Sequence, residues 1–322
     1  MTDYNLEQIA KDCLINKSDD TALIISKIDD LANKFNSDDF VNIINYFFEI
    51  CNNYDVIMHL LKLINKHKSK SSVPYLVDAL ILKEEYKNKF KDDDNQVNIR
   101  VNSAKILANI KDNSAVNPIL YCMNNKGENY KLRLCCAEAL GKIGDKYAII
   151  PLTEVLKDVN EQSVYLKESA VFALGMIGDS KAVDPLVSIL ETQKGIIDKF
   201  TFLKERAIEA LSRININNDR VFNALKKSLN DESAQVRINA IEALSNLDNK
   251  EVPDLLYSCL KDSSEEVVKN AIIALFNILG EEILYKILND STLPEHTMRQ
   301  IREVIKEIED CDNDEEFGTD DE

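Results

Sequence analysis

The sequence predicts an all-α protein, a right-handed α-solenoid of stacked antiparallel helix pairs. Three observations carry that prediction. A leucine column, Leu107, Leu140, Leu174, Leu211, Leu244 and Leu275, recurs at steps of 33, 34, 37, 33 and 31 residues, the repeat distance of helical solenoids. A cation precedes each of the first five leucines by seven residues: Arg100, Arg133, Lys167, Lys204 and Arg237. About half a repeat after the same leucines comes a second apolar column, Met123, Leu156, Leu190, Leu229 and Leu260. Independent columns in one register are hard to obtain by chance.

Each unit reads as two helices. In the first, apolar residues fall at helical spacing, as in Ala137, Leu140 and Ile143. The small residues Ala104, Ala139, Ala173, Ala210, Ala243 and Ala274 let neighbouring helices approach closely. Gly144-Asp145 and Gly178-Asp179 end the first helix, because glycine takes the left-handed conformation of a C-cap at little steric cost. Pro118, Pro151 and Pro185 fall in the first turn of the second helix, where a missing N–H is harmless. One pair cannot bury both of its apolar faces, so several must stack into one continuous core, here about seven units with divergent ends.

The pattern Arg133, Ala137, Ala139-Leu140-Gly141, Ile143-Gly144-Asp145, Ala148, Pro151-Leu152 resembles HEAT repeats of the phycobilisome-lyase-like (PBS lyase HEAT-like) subtype. The resemblance spans roughly residues 97–280 and is sharpest in two units. Later units depart from it: Asn215 and Asp248 replace the turn glycine, no proline opens the second helix after Leu211, and Pro253 comes two residues early. The resemblance implies a HEAT/armadillo-like superhelix. The family contains bilin lyases, other enzymes and many interaction proteins, so it specifies fold more sharply than function.

In chain order, residues 1–70 form a divergent helical N-terminal cap, with helices over Leu6–Ile15, Thr21–Phe35, Asp38–Cys51 and Tyr54–His67. Tyr46, Phe47 and Phe48 meet the first regular repeat or, on a sharper reading, reach a partner. The repeat array covers 71–280, opening with a helix over Tyr75–Leu82. It is interrupted by a charged loop at Lys87–Gln96 and a second long connection at Thr192–Phe200. Capping helices occupy 281–308, over Glu282–Leu288 and Pro294–Glu309. In residues 309–322, nine of fourteen side chains are acidic, a composition that predicts a disordered tail. That tail is a solvated end or an electrostatic element that attracts a basic partner or folds back over Lys226-Lys227.

Composition narrows the function. The chain has 322 residues, 45% hydrophobic, with eight glycines and six prolines, which suits long helices and short turns. A net charge of −17 argues against nucleic-acid binding, which needs a basic face to displace counterions. Seven cysteines form no C-x-x-C pair and point to a reducing compartment. No signal peptide and no membrane-spanning apolar run is visible, so a cytoplasmic monomer is expected. The three histidines lie far apart, no metal or nucleotide motif occurs, and the repeated His-Glu dipeptides of a HEAT-repeat iron hydroxylase are missing. No catalytic residue, metal or cofactor is therefore expected.

Two constellations remain. The cations Arg100, Arg133, Lys167, Lys204 and Arg237 are expected to form an inter-repeat ladder, bonding to the turn aspartates Asp112, Asp145 and Asp179 or to free helix carbonyls of a neighbouring repeat. The outward face of the second helices, Leu120, Tyr121, Thr153, Glu154, Val187, Ser188, Lys226, Lys227, Tyr257 and Ser258, is the expected partner-binding surface. There Tyr121 and Tyr257 are rigid amphipathic anchors, and Leu120 and Val187 are exposed apolar contacts. The expected function is a non-catalytic scaffold or adaptor that binds a protein segment in the concave helical groove lined by the second helices. The alternative, allowed by the resemblance, is a bilin or cofactor lyase-type enzyme or its non-catalytic subunit.

Overall fold

The computed structural model describes residues 5–14, 20–87, 89, 93–161, 163–191 and 197–316; the side chains of 85, 197–200 and 309–316 lie outside that description. Every regular element among the described residues is helical. The chain divides into two compact units, Met1–Gly178 and Asp179–Glu322. This boundary falls inside the repeat array.

The first unit opens with α1 (Leu6–Leu14), α2 (Thr21–Leu31), α3 (Ser37–Ile50) and α4 (Tyr54–His67). Side-chain caps start all four: Asn5 accepts from Glu7 N, Asp20 from Ala22 N, Asn36 from Asp39 N and Asn53 from Val56 N. Phe47 and Phe48 are wholly buried, with Ile43, Ile44, Ile57 and Leu60, so these aromatics are core and not a docking face. Then follow α5 (Val73–Leu80), the short α6 (Glu84–Lys87), α7 (Asp93–Ile110), α8 (Val116–Asn124), α9 (Tyr130–Ile143), α10 (Ile149–Lys157) and α11 (Val164–Ile177). The loop expected over Lys87–Gln96 is shorter, because α7 already begins at Asp93. Asp93 and Asp94 occupy its first turn, where the helix dipole favours acidic side chains. The rest of that loop, 88 and 90–92, lies outside the described residues.

Successive first helices α7, α9 and α11 pack side by side, and each second helix packs against the first helix that follows it. Central α9 buries Leu132, Cys135, Cys136, Ala137, Leu140 and Ile143 together. The α9–α11 approach is so close that a Cβ added to Gly141 would lie 2.6 Å from Ala173 Cα. Gly144 and Gly178 end α9 and α11 at φ 80° and 71°. Lys111 performs the same task after α7 at φ 57°, at the steric cost that glycine avoids.

The second unit contains α12 (Val183–Glu191), α13 (Ile197–Ile214), α14 (Asp219–Ser228), α15 (Ala234–Ser245), α16 (Val252–Cys259), α17 (Glu265–Leu279), α18 (Glu282–Leu288) and α19 (Glu295–Glu316). The connection expected over Thr192–Phe200 ends early, since α13 begins at Ile197; residues 192–196 lie outside the described set. Helix α19 caps the stack by inserting Ile301 and Val304. Its first turn also satisfies free carbonyls after α16: Thr297 Oγ1 donates to Leu260 O (2.6 Å) and His296 Nε2 to Asp262 O (2.8 Å). Helix α19 continues through Glu316, and residues 317–322 lie outside the description.

Candidate functional site

Four of the five column cations tie repeats together, through carboxylates other than the expected ones. Arg100 Nε donates to Leu80 O at the end of α5 (2.7 Å), while its two terminal nitrogens grip Glu128 in a bidentate pair at 2.7 and 2.6 Å. Arg133 Nε donates to Met123 O near the end of α8 (2.8 Å), and Nη2 to Glu161 (2.7 Å). Lys204 reaches Asp231 at 2.6 Å, and Arg237 reaches Asp262 at 2.7 and 2.8 Å. Lys167 is half-buried; the place where an equivalent acid would stand lies outside the described residues.

The acceptors have a second task. Glu161, Asp231 and Asp262 each accept the backbone N–H of the serine two residues on, Ser163, Ser233 and Ser264. Each serine in turn caps the next first helix, accepting from Leu166, Val236 and Val267. One carboxylate thus ties the cation of its own repeat to the start of the following helix. Burial alone would raise the Glu161 carboxyl, but the Ser163 N–H and the Arg133 guanidinium hold it below the usual range. Burial opposes the charge of Arg100, yet Glu128 raises its pKa.

The turn aspartates are corrected as ladder partners. Asp112, Asp145 and Asp179 accept from the backbone N–H of Ser114, Tyr147 and Lys181, each at 2.9 Å, and so cap the 3-10 turn that leads into each second helix. They sit at the opposite end of the first helix from the cation, which cannot span it. Three of the four true acceptors were visible in the sequence as an acid two residues before a serine: Glu161-Gln162-Ser163, Asp231-Glu232-Ser233 and Asp262-Ser263-Ser264; Glu128, followed by Asn129-Tyr130, was not.

On the second helices the outward face is narrower than expected. Tyr121, Glu154, Ser188, Lys227 and Ser258 are exposed. Leu120 is 7% exposed and Val187 fully buried, so neither is an exposed apolar contact. Thr153, Lys226 and Tyr257 are half-buried. In α8 the residues Val116, Ile119, Leu120 and Met123 all face inward, leaving about one position per turn for solvent.

Tyr257 is also engaged. Its hydroxyl donates to Asp290 at 2.7 Å, and the Lys286 ammonium stands 5.5 Å from its ring centroid. Burial, then the Asp290 carboxylate, push its phenol up to about 12, while Tyr257 first and Thr292 next bring Asp290 down to about 2. Lys226 pairs with Glu251 at 2.8 Å.

Two further large apolar side chains on this side of the N-terminal unit stand in water beside Tyr121. Tyr147, in the turn before α10, is 68% exposed, Ile150 on α10 is 70% exposed, and Tyr121 on α8 is 64% exposed. That turn packs against α8, which places Tyr147 beside the helix carrying Tyr121. The signal was present: Ile150 stands where the neighbouring units have Asn117 and Asp184.

No group of metal-ligating side chains assembles among the described residues. The histidines are dispersed on local partners, His59 on Asp29 at 2.7 Å and His67 on Ser37 at 3.4 Å. Burial pushes the Cys135 thiol up to about 11, where it is a poor nucleophile.

The family model for HEAT repeats matches residues 87–164 and 196–276, and that for the PBS lyase HEAT-like repeat matches 166–192. No curated relative matches the sequence. Among solved structures, the Escherichia coli protein YibA is 16% identical with a TM-score of 0.47, covering 89% of this chain and 97% of that one. The CpcE–CpcF complex of phycocyanin lyase from Nostoc sp. PCC7120 is 18% identical with a TM-score of 0.43, over 71% and 92%. Human deoxyhypusine hydroxylase in complex with glycerol is 15% identical with a TM-score of 0.35, over 86% and 96%. Likenesses this loose carry no argument about activity. The repeat columns, the helix pairs and both family matches agree in register: the chain belongs to the HEAT-repeat family and includes a repeat of the PBS-lyase-like type.

Proposed function

We propose that this protein is a non-catalytic interaction scaffold that holds a protein segment on the second-helix side of its N-terminal unit. The carrying observation is the exposure of Tyr121, Tyr147 and Ile150, large side chains whose burial against a partner would remove apolar surface from water. Helix α8 contributes no charge to that side, and its exposed Asn117 and Asn124 offer amides to a partner backbone. Glu154 supplies an exposed acid.

No helix among the described residues is long and apolar enough to cross a membrane. The acidic balance accords with a chain that does not bind nucleic acid. The test is affinity capture with the wild-type chain and with the triple variant Tyr121→Ala, Tyr147→Ala, Ile150→Ser. Partners should be lost from the variant while its melting temperature stays unchanged. Identical partner sets for the two proteins would overturn the proposal.

A further inference from the structure

The close contact of α9 with α11 depends on Gly141, whose missing side chain admits Ala173. In the repeat register, the residue after the column leucine is Gly141 in α9 but Ser212 in α13, and the facing alanine is Ala243 on α15. At the α9–α11 spacing any Cβ in that place would strike backbone. Between α13 and α15 lies an open groove of about 280 Å³, floored by Ile208 and Ala243 and rimmed by Glu209, Ser212, Glu242 and Asn246, among others. Beneath it lies a small cavity of about 20 Å³ at Leu211, Ile216, Val221, Leu225 and Ala243. That is room for no more than about one water. Side chains facing such gaps lose their dispersion contacts on one side.

The turn at the same place is weaker too. Asn215 ends α13 at φ 52°, where Gly144 and Gly178 end α9 and α11. Apolar contact, close helix approach and an unstrained turn are what hold a helical junction shut, and this one is reduced in all three.

We infer that the α13–α15 junction is a yielding joint built into the C-terminal unit, opening at lower free energy than the α9–α11 junction. This is a property of the free chain and holds whether or not the binding proposal does. Native-state hydrogen exchange on the full-length protein tests it. Amides of Ile208–Ile214 should exchange about tenfold or more faster than those of Ala137–Ile143. Equal or greater protection at Ile208–Ile214 would overturn the inference. A second measurement asks whether the groove is the cause. Ser212→Leu, at an exposed rim position, puts apolar volume into the gap and should raise protection across Ile208–Ile214 severalfold. If that variant folds with unchanged circular dichroism and exchanges as fast as wild type, the groove is not what makes the joint yield. If the variant fails to fold, the wild-type profile decides.

Discussion

The two units use one scaffold and finish its second helices in opposite ways. In the N-terminal unit, α8 and α10 leave Tyr121 and Ile150 facing water. In the C-terminal unit the corresponding helices spend their side chains on one another. Arg220 on α14 pairs with Asp184 on α12 at 2.9 Å, Lys226 pairs with Glu251, and Tyr257 is fastened to Asp290. Repeat geometry sets which positions reach solvent, whereas the residue placed there decides whether the position is occupied or available. A surface that satisfies itself must break its own bonds before it can bind, and an unpaired aromatic surface need not.

The largest expected effect tests what the units share. Arg133→Ala leaves Glu161 nearly buried without its counter-charge and strips a donor from Met123 O, so stability should fall by about 3 kcal/mol. Chemical denaturation measures it, and a loss below about 1 kcal/mol would show that the ladder does not hold the junctions. Next in size is Gly141→Ala, which drives a Cβ into Ala173 and should cost about 2 kcal/mol through overpacking. Ser212→Ala, at the equivalent place between α13 and α15, should be near neutral; equal costs would erase the contrast between the two junctions.

A smaller effect concerns the self-paired surface. Asp290 is held near 2 in the folded chain, against an ordinary value of 3.8. Between those values the unfolded chain binds the proton and the folded one does not. Its stabilisation is therefore present above pH 3.8 and lost as pH falls through about 2. Tyr257→Phe removes the main donor, so an NMR titration should find Asp290 moved up toward its ordinary value; an unmoved midpoint would mean Thr292 alone sets it. Smallest of all are Lys226→Ala and Tyr121→Ala, both at solvent-facing positions, each expected within about 0.5 kcal/mol of wild type in melting experiments. Their difference should appear in binding, where only Tyr121→Ala weakens capture.

Much of the fold could be read from residue spacing. The leucine and alanine columns located the first helices, Gly144 and Gly178 marked their ends, and the limits of Tyr54–His67 and Glu282–Leu288 agree with α4 and α18. Helix starts within charged stretches were harder to read, as with Asp93, because acidic residues suit both a solvated loop and a helix N-terminus. The candidate surface was legible only to within one residue per turn. Leu120 and Val187 looked outward by counting from their neighbours, but second helices are packed on more than one side, so their buried arc is wider than an amphipathic pattern suggests.

The sequence by itself determined that helices pair and stack, because a period near 34 residues with apolar stripes on both helices leaves no other way to keep those stripes from water. Tertiary structure decided what spacing could not: that Arg133 meets Glu161 and not a turn aspartate, that Tyr257 is tied down while Tyr121 is free, and that a groove lies between α13 and α15. The physical reason is the same in each case. Periodicity fixes the direction of a side chain from its own helix axis, but its partner depends on which residue the neighbouring helix brings within about 3 Å, and that is known only once the helices are packed.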